Sequence, residues 1–190
     1  MRSKQLRKEN SSNVKRYLVL LLIAITFSCS SQKVANYSFF KLLVTNHENE
    51  IMLVEWDGAW EIPGKKYSGE RTVKEFVSAM ALKHGIRVDN IKLNALITFH
   101  YDNRPNPTLM QYYTATLTDG NLKVPASCSD IRWIGSNESF KLIPYPEMVQ
   151  IMKKVISKPN VLWGGAFDIT RKTTNSPRNS KVKEALHILN

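Results

Sequence analysis

Cysteine is nearly missing: the 190-residue chain has two, Cys29 and Cys128. So sparse a pair excludes a multi-disulfide scaffold, and folding must rest on an apolar core. Glycine and proline are also thin, eight of each, and no internal repeat or low-complexity tract interrupts the chain. Collagen-like and repeat architectures are thereby excluded. No apolar run approaches the roughly 20 residues that a spanning helix requires; the longest is the ten-residue stretch 18–27. Acids are the other shortage, with 16 Asp and Glu against 27 Lys and Arg, a formal net charge of +11. That charge comes with no zinc-ligand spacing, no glycine-rich phosphate loop and no basic stripe interleaved with aromatics, so no nucleic-acid partner is expected. What is present is ordinary globular composition, 43 % hydrophobic and 23 % charged, enough chain for one domain with a real core.

The amino end is set apart from the rest. Arg2, Lys4, Arg7, Lys8, Lys15 and Arg16 are opposed only by Glu9, and the apolar stretch 18–27 follows. A basic segment and a short apolar run form the pattern of a secretory signal rather than a membrane span. Ser28-Cys29-Ser30-Ser31 at its end resembles a bacterial lipoprotein signal, in which the cysteine becomes the lipid-modified first residue. The resemblance implies a signal peptide over 1–28, a linker over 29–37, Cys29 as lipid anchor, and a bacterial cell-envelope location on a membrane. A signal left uncleaved or cleaved in the ordinary way and a buried terminal helix are the competing readings. With the segment before Cys29 removed, 21 basic residues face 15 acids, a net +6. That modest excess suits a phosphorylated ligand or an anionic surface.

From about residue 38 the pattern alternates strands with two helices. Segments 37–45 and 51–56 read as a strand and its return, joined by the turn-forming Asn46-His47-Glu48-Asn49. Val73, Phe76, Val77 and Met80 recur at i, i+3, i+4 and i+7 and predict a helix over about 72–84. Gly85 stands where a left-handed residue ends a helix. Segments 91–101 and 109–117 read as a hairpin with a Pro/Asn loop, and 129–134 as a short late strand. Met148, Ile151, Met152, Val155 and Ile156 predict a second helix opened by Pro146 and Glu147. Residues 162–170 fit an edge strand. From Arg171 the sequence predicts a loose basic tail to 190 with a short helix over 182–189.

One spacing is more specific. Gly64, five residues, Glu70, seven residues, then Ser78-Ala79-Met80-Ala81-Leu82-Lys83-His84-Gly85-Ile86 resembles the signature of the Nudix hydrolases, led in by Trp60-Glu61-Ile62-Pro63. Gly64, Glu70, Met80, Gly85 and Ile86 match it. The family's Arg falls on Ser78, its first Glu on Ala79, and its Glu-Glu pair on Leu82-Lys83. The resemblance covers about residues 38–157. It implies an α/β sandwich with a mixed sheet between helices, over a domain spanning 38–170. It also implies a metal-assisted diphosphate chemistry that the departures contradict. Positions 79, 82 and 83 share one helical face, and a methyl, an isobutyl and an ammonium group offer no oxygen to a hard divalent cation. The glutamate that often precedes the family's late strand is also missing, since residues 124–128 hold no acid.

The surviving candidates are few. Glu70 is the one matching carboxylate. Five positions separate it from Glu75, about 140° around a helix if both are helical, so the two should not converge on one ion. Lys65, Lys66 and Lys83 are candidates to surround a phosphate without a metal; solvated surface lysines are the plain alternative. Trp56, Trp60 and Tyr101 are candidates to stack on a base, or else they belong to the core. No metal is expected, and magnesium only if an unconventional site survives. The expected function is a Nudix-fold envelope lipoprotein with a degraded metal motif that binds a nucleotide or phosphate. The alternative is an active hydrolase of nucleoside-diphosphate-linked substrates.

Overall fold

Alternation along the first two strands sends their side chains to two opposite cores. In β1 (Ser38–Thr45), Phe40, Leu42 and Val44 face one way and Leu43 the other. In β2 (Glu50–Trp56), Met52 and Val54 join the first group while Ile51 and Leu53 join the second. A sheet buried on both faces reads as a near-continuous apolar run, as 38–44 and 51–54 do. The computed structural model of the protein describes residues 38–170 and 178–189. The expected signal segment, the linker with its anchor Cys29, and residues 171–177 of the expected tail lie outside the described residues.

The chain continues through β3 (Ala59–Glu61), β4 (Gly64–Lys66), α1 (Val73–Lys83), β5 (Ile86–Tyr101) and β6 (Thr108–Gly120). After these come β7 (Asp130–Gly135), α2 (Ser136–Leu142), α3 (Pro146–Ser157), β8 (Trp163–Thr170) and β9 (Asn179–Ile188). The sheet order is β3-β2-β1-β6-β5-β8-β9. β1 runs parallel to β6 along its whole length and β5 parallel to β8, while β5–β6 and β8–β9 are antiparallel. β1 and β2 pair only at their hairpin end, Thr45↔Ile51. Beyond it they part: β2 takes β7 and β3 as partners, and β4 pairs with the vacated edge of β1. That divergence opens the space in which the candidate site lies.

One helix covers each core. α1 buries Phe76, Val77, Met80 and Ala81 against Phe40, Leu42, Met52 and Tyr113. α3 buries Met148, Ile151, Met152 and Val155 against Leu43, Leu53, Ile97 and Phe99. The expected α/β sandwich with a mixed sheet between helices is what the chain forms. The helical stripe is narrower than its spacing predicts, because Val73 is exposed at the first turn.

The carboxyl end corrects the sequence reading. Residues 179–188 form strand β9, where a loose tail and a terminal helix were expected, and β8 lies inside the sheet rather than at its edge. Val182, Ala185, Leu186 and Leu189 do have helical spacing, but the outer edge of β8 presents backbone groups that a strand satisfies. Gly164 and Gly165 clear the way. A methyl group on Gly164 would lie 2.9 Å from the side chains of His187 and Leu189, and one on Gly165 2.9 Å from Leu186. Tertiary pairing overrides local propensity here. The short helix α2 was also unforeseen, as its seven residues carry no usable period.

Candidate functional site

β4 is laid against the start of β1 in the register Phe39↔Lys66, Phe40↔Lys65 and Lys41↔Gly64. Only glycine fits the last of these positions: a Cβ there would approach the Phe39 ring to 2.5 Å and the Lys41 ammonium to 2.9 Å. Beyond β4 the Tyr67 ring stacks on Phe40 at 4.8 Å, and the edge of Phe76 meets both rings at about 5 Å. Offset and edge contacts of this kind are the favoured aromatic geometries. They fix the loop before α1 against the helix itself.

α1 starts at a complete capping box. Thr72 Oγ1 accepts from the Glu75 N–H, and Glu75 Oε2 accepts from the Thr72 N–H at 2.8 Å. Hydrogen bonds donated by the Thr72 N–H and the Thr72 hydroxyl hold the Glu75 carboxyl below its usual range,. The helix stops at Gly85, whose φ of +82° is closed to most other residues,. His84 caps it, its Nδ1–H donating to the Met80 carbonyl at 2.6 Å, and burial depresses its pKa. Lys83 thus stands in the last turn, next to the negative end of the helix dipole.

Between β4, α1 and the diverging β2 lies a cleft of about 600 Å³. Lys65 and Lys66 line one side and Lys83 another, with Arg71 completing the set. Phe39, Val54, Phe76 and Met80 supply apolar walls, and Trp56, 46 % exposed, contributes to the lining. Among the described residues the one carboxylate in the lining is Glu61, and it accepts a 2.7 Å ion-pair hydrogen bond from Lys41, which is 5 % exposed. Lys41 also donates to the Ile62 carbonyl at 3.2 Å. A lysine this deep is tolerable only when so paired. The cleft therefore carries four cationic side chains and a carboxylate already neutralised.

The other sequence candidates are placed differently. Trp60 packs toward the α3 side of the sheet, with the Arg132 guanidinium 5.3 Å from its ring. Tyr101 ends β5, with Arg104 at 4.8 Å, and does not line the cleft. Strand alternation separates these two from Trp56, so the aromatics do not assemble in one pocket. Glu70 lines a separate open groove with Arg71, Glu75, Ser78, Ala79 and Leu82. The two glutamates share this groove. Glu70 precedes the helix, so the rotation per residue does not apply to it. Arg71 and Ala79 border both the groove and the cleft.

A divalent ion has little to hold it here. Glu75 is engaged with Thr72, Glu61 with Lys41, and positions 79, 82 and 83 bring no oxygen. Among the described residues no three His, Cys, Asp or Glu side chains cluster closely enough to ligate a metal ion. The residues present do not fit the metal that the fold implies. The sequence reading did not anticipate Arg71 or the Lys41–Glu61 pair. A single charge inside the apolar run 39–44 was the available signal for the latter.

One mixed sheet, parted between β1 and β2 beside a helix that follows a Gly-x5-Glu loop and covered by a helix on each face, is the fold of solved Nudix structures. The chain superposes on the MutT protein of Bacillus halodurans with a TM-score of 0.65 at 18 % identity, covering 80 % of this chain and 96 % of that one. It superposes on the NUDIX domain of Shewanella oneidensis NrtR, solved with ADP ribose, with a TM-score of 0.58 at 14 % identity, covering 72 % and 98 %. A C. elegans Ap4A hydrolase gives a TM-score of 0.51 at 14 % identity, covering 63 % and 96 %. At these identities the likeness is one of fold. No protein-family model and no curated protein matches the chain.

Proposed function

We propose that this protein is a Nudix-fold binding module that takes a phosphorylated small molecule into the β4–α1 cleft and does not hydrolyse it by the metal-assisted route. The observation that carries this reading is that Lys65, Lys66, Arg71 and Lys83 line one cleft in which, among the described residues, the only carboxylate is paired to Lys41. Ammonium and guanidinium groups grouped this way recognise phosphate oxygens directly. Trp56, in the same lining, is an aromatic side chain of the kind on which planar groups stack,. The NrtR domain with ADP ribose is a same-fold precedent for such a ligand class. Calorimetry with ADP-ribose and diadenosine polyphosphates tests the proposal. Binding is expected in the native chain and at least about tenfold weaker after Lys65, Lys66 and Lys83 are changed together to Ala. No turnover is expected with magnesium or manganese.

A second reading, a hydrolase with an unconventional ion site, is favoured by the groove that Glu70 and Glu75 share. Turnover that vanishes in Glu70→Gln would establish it in place of the first. The amino-terminal signal adds an envelope location, with Cys29 as the lipid-modified residue. Labelled palmitate should enter the native chain and not Cys29→Ala; equal labelling removes the anchor.

A further inference from the structure

We infer that the cleft selects the metal-free form of a diphosphate, so that magnesium competes with the protein for the ligand instead of bridging the two. This rests on the binding reading above and specifies the state of the ligand that the site takes. In water a magnesium ion on a diphosphate removes two units of negative charge and brings its own shell of tightly held waters. Sites built for such a complex usually face the ion with one or two carboxylates. This cleft presents the opposite. Lys83 occupies the end of α1 that lines it, Arg71 and the β4 lysines line it too, and Ala79 forms the border toward the nearest glutamates. Glu61 has its Oε2 tied to the Lys41 ammonium, and drawing that oxygen to an ion would strand a lysine that is 5 % exposed. A buried cation left without its partner is strongly disfavoured. Four cations therefore meet either a free diphosphate, whose negative charge attracts them, or its magnesium complex, whose ion they repel at close range.

The test is calorimetry of inorganic pyrophosphate with the full chain in non-ionic detergent. One arm contains a chelator and the other contains magnesium in excess of the ligand, with ionic strength equalised by sodium chloride so that screening is the same in both. The expected result is binding in the chelator arm that weakens about tenfold or more with magnesium. In Lys83→Glu, an exposed position whose change is checked for folding by its melting curve, the magnesium penalty should shrink or reverse. Binding that tightens with magnesium in the native chain overturns this inference and leaves the phosphate-binding reading standing. No binding of pyrophosphate or ADP-ribose in either arm overturns both.

Discussion

At the scale of single residues, the site withdraws some of its titratable groups from solvent. Lys41 and Glu61 form one such case, and His84 is another. The imidazole is 7 % exposed, lines the cleft and is held neutral by burial, its pKa depressed from about 6.5,. The consequence for stability has a definite sign. Above about pH 6.5 the ring is neutral in both folded and unfolded chains and contributes no slope. As the pH falls below that value the unfolded chain takes up a proton that the folded one refuses, so stability declines. The decline ends once the pH passes below the folded pKa. Urea midpoints measured down through this range should fall in the native protein and fall less in His84→Gln, which retains a donor for the Met80 carbonyl. Identical slopes in the two proteins would mean that carboxylates alone carry the acid sensitivity.

At the scale of elements, legibility followed the reach of the forces that form each one. Helix α1 was readable because its cap, its apolar spacing and its terminating glycine all lie within fourteen consecutive residues. The β1–β2 hairpin was readable for the same reason, its turn being organised by the Asn46 side chain accepting from the N–H groups of Glu48 and Glu50,. β9 was not, because its state is decided by the unpaired edge of β8 and by two glycines some twenty residues upstream. The candidate site divides along the same line. Lys65, Lys66 and Lys83 were legible as a cationic group since loop and helix adjoin in sequence. Arg71 was overlooked between two more conspicuous residues, and the Lys41–Glu61 pair needed knowledge of which strands meet. Trp60 and Tyr101 were misleading for a related reason. Aromatic identity does not say which face of a strand a ring will occupy, and alternation sent Trp60 to the far side of the sheet from the cleft,.

At the scale of the whole molecule, the carboxyl-terminal strand is tied to the sandwich by one buried charge pair. Arg178, just before β9, gives its guanidinium to Glu147 in the first turn of α3, and it stacks over the Tyr145 ring at 4.2 Å. Glu147 is 0 % exposed. Replacing such a pair by apolar groups can be neutral, whereas removing one partner abandons a charge in a low-dielectric interior. Arg178→Ala should therefore destabilise the fold by about 3–5 kcal/mol, read as a lower urea midpoint with an unchanged slope. The double change Arg178→Ala with Glu147→Met should recover much of that loss, because the abandoned carboxylate is gone. If the single change costs less than about 1 kcal/mol, as exposed pairs do, the carboxylate has found water, and β9 is held by its hydrogen bonds to β8 and not by this clasp. Since the pair sits by α3 on the core opposite α1, neither change should alter pyrophosphate binding in the cleft under conditions where the protein remains folded.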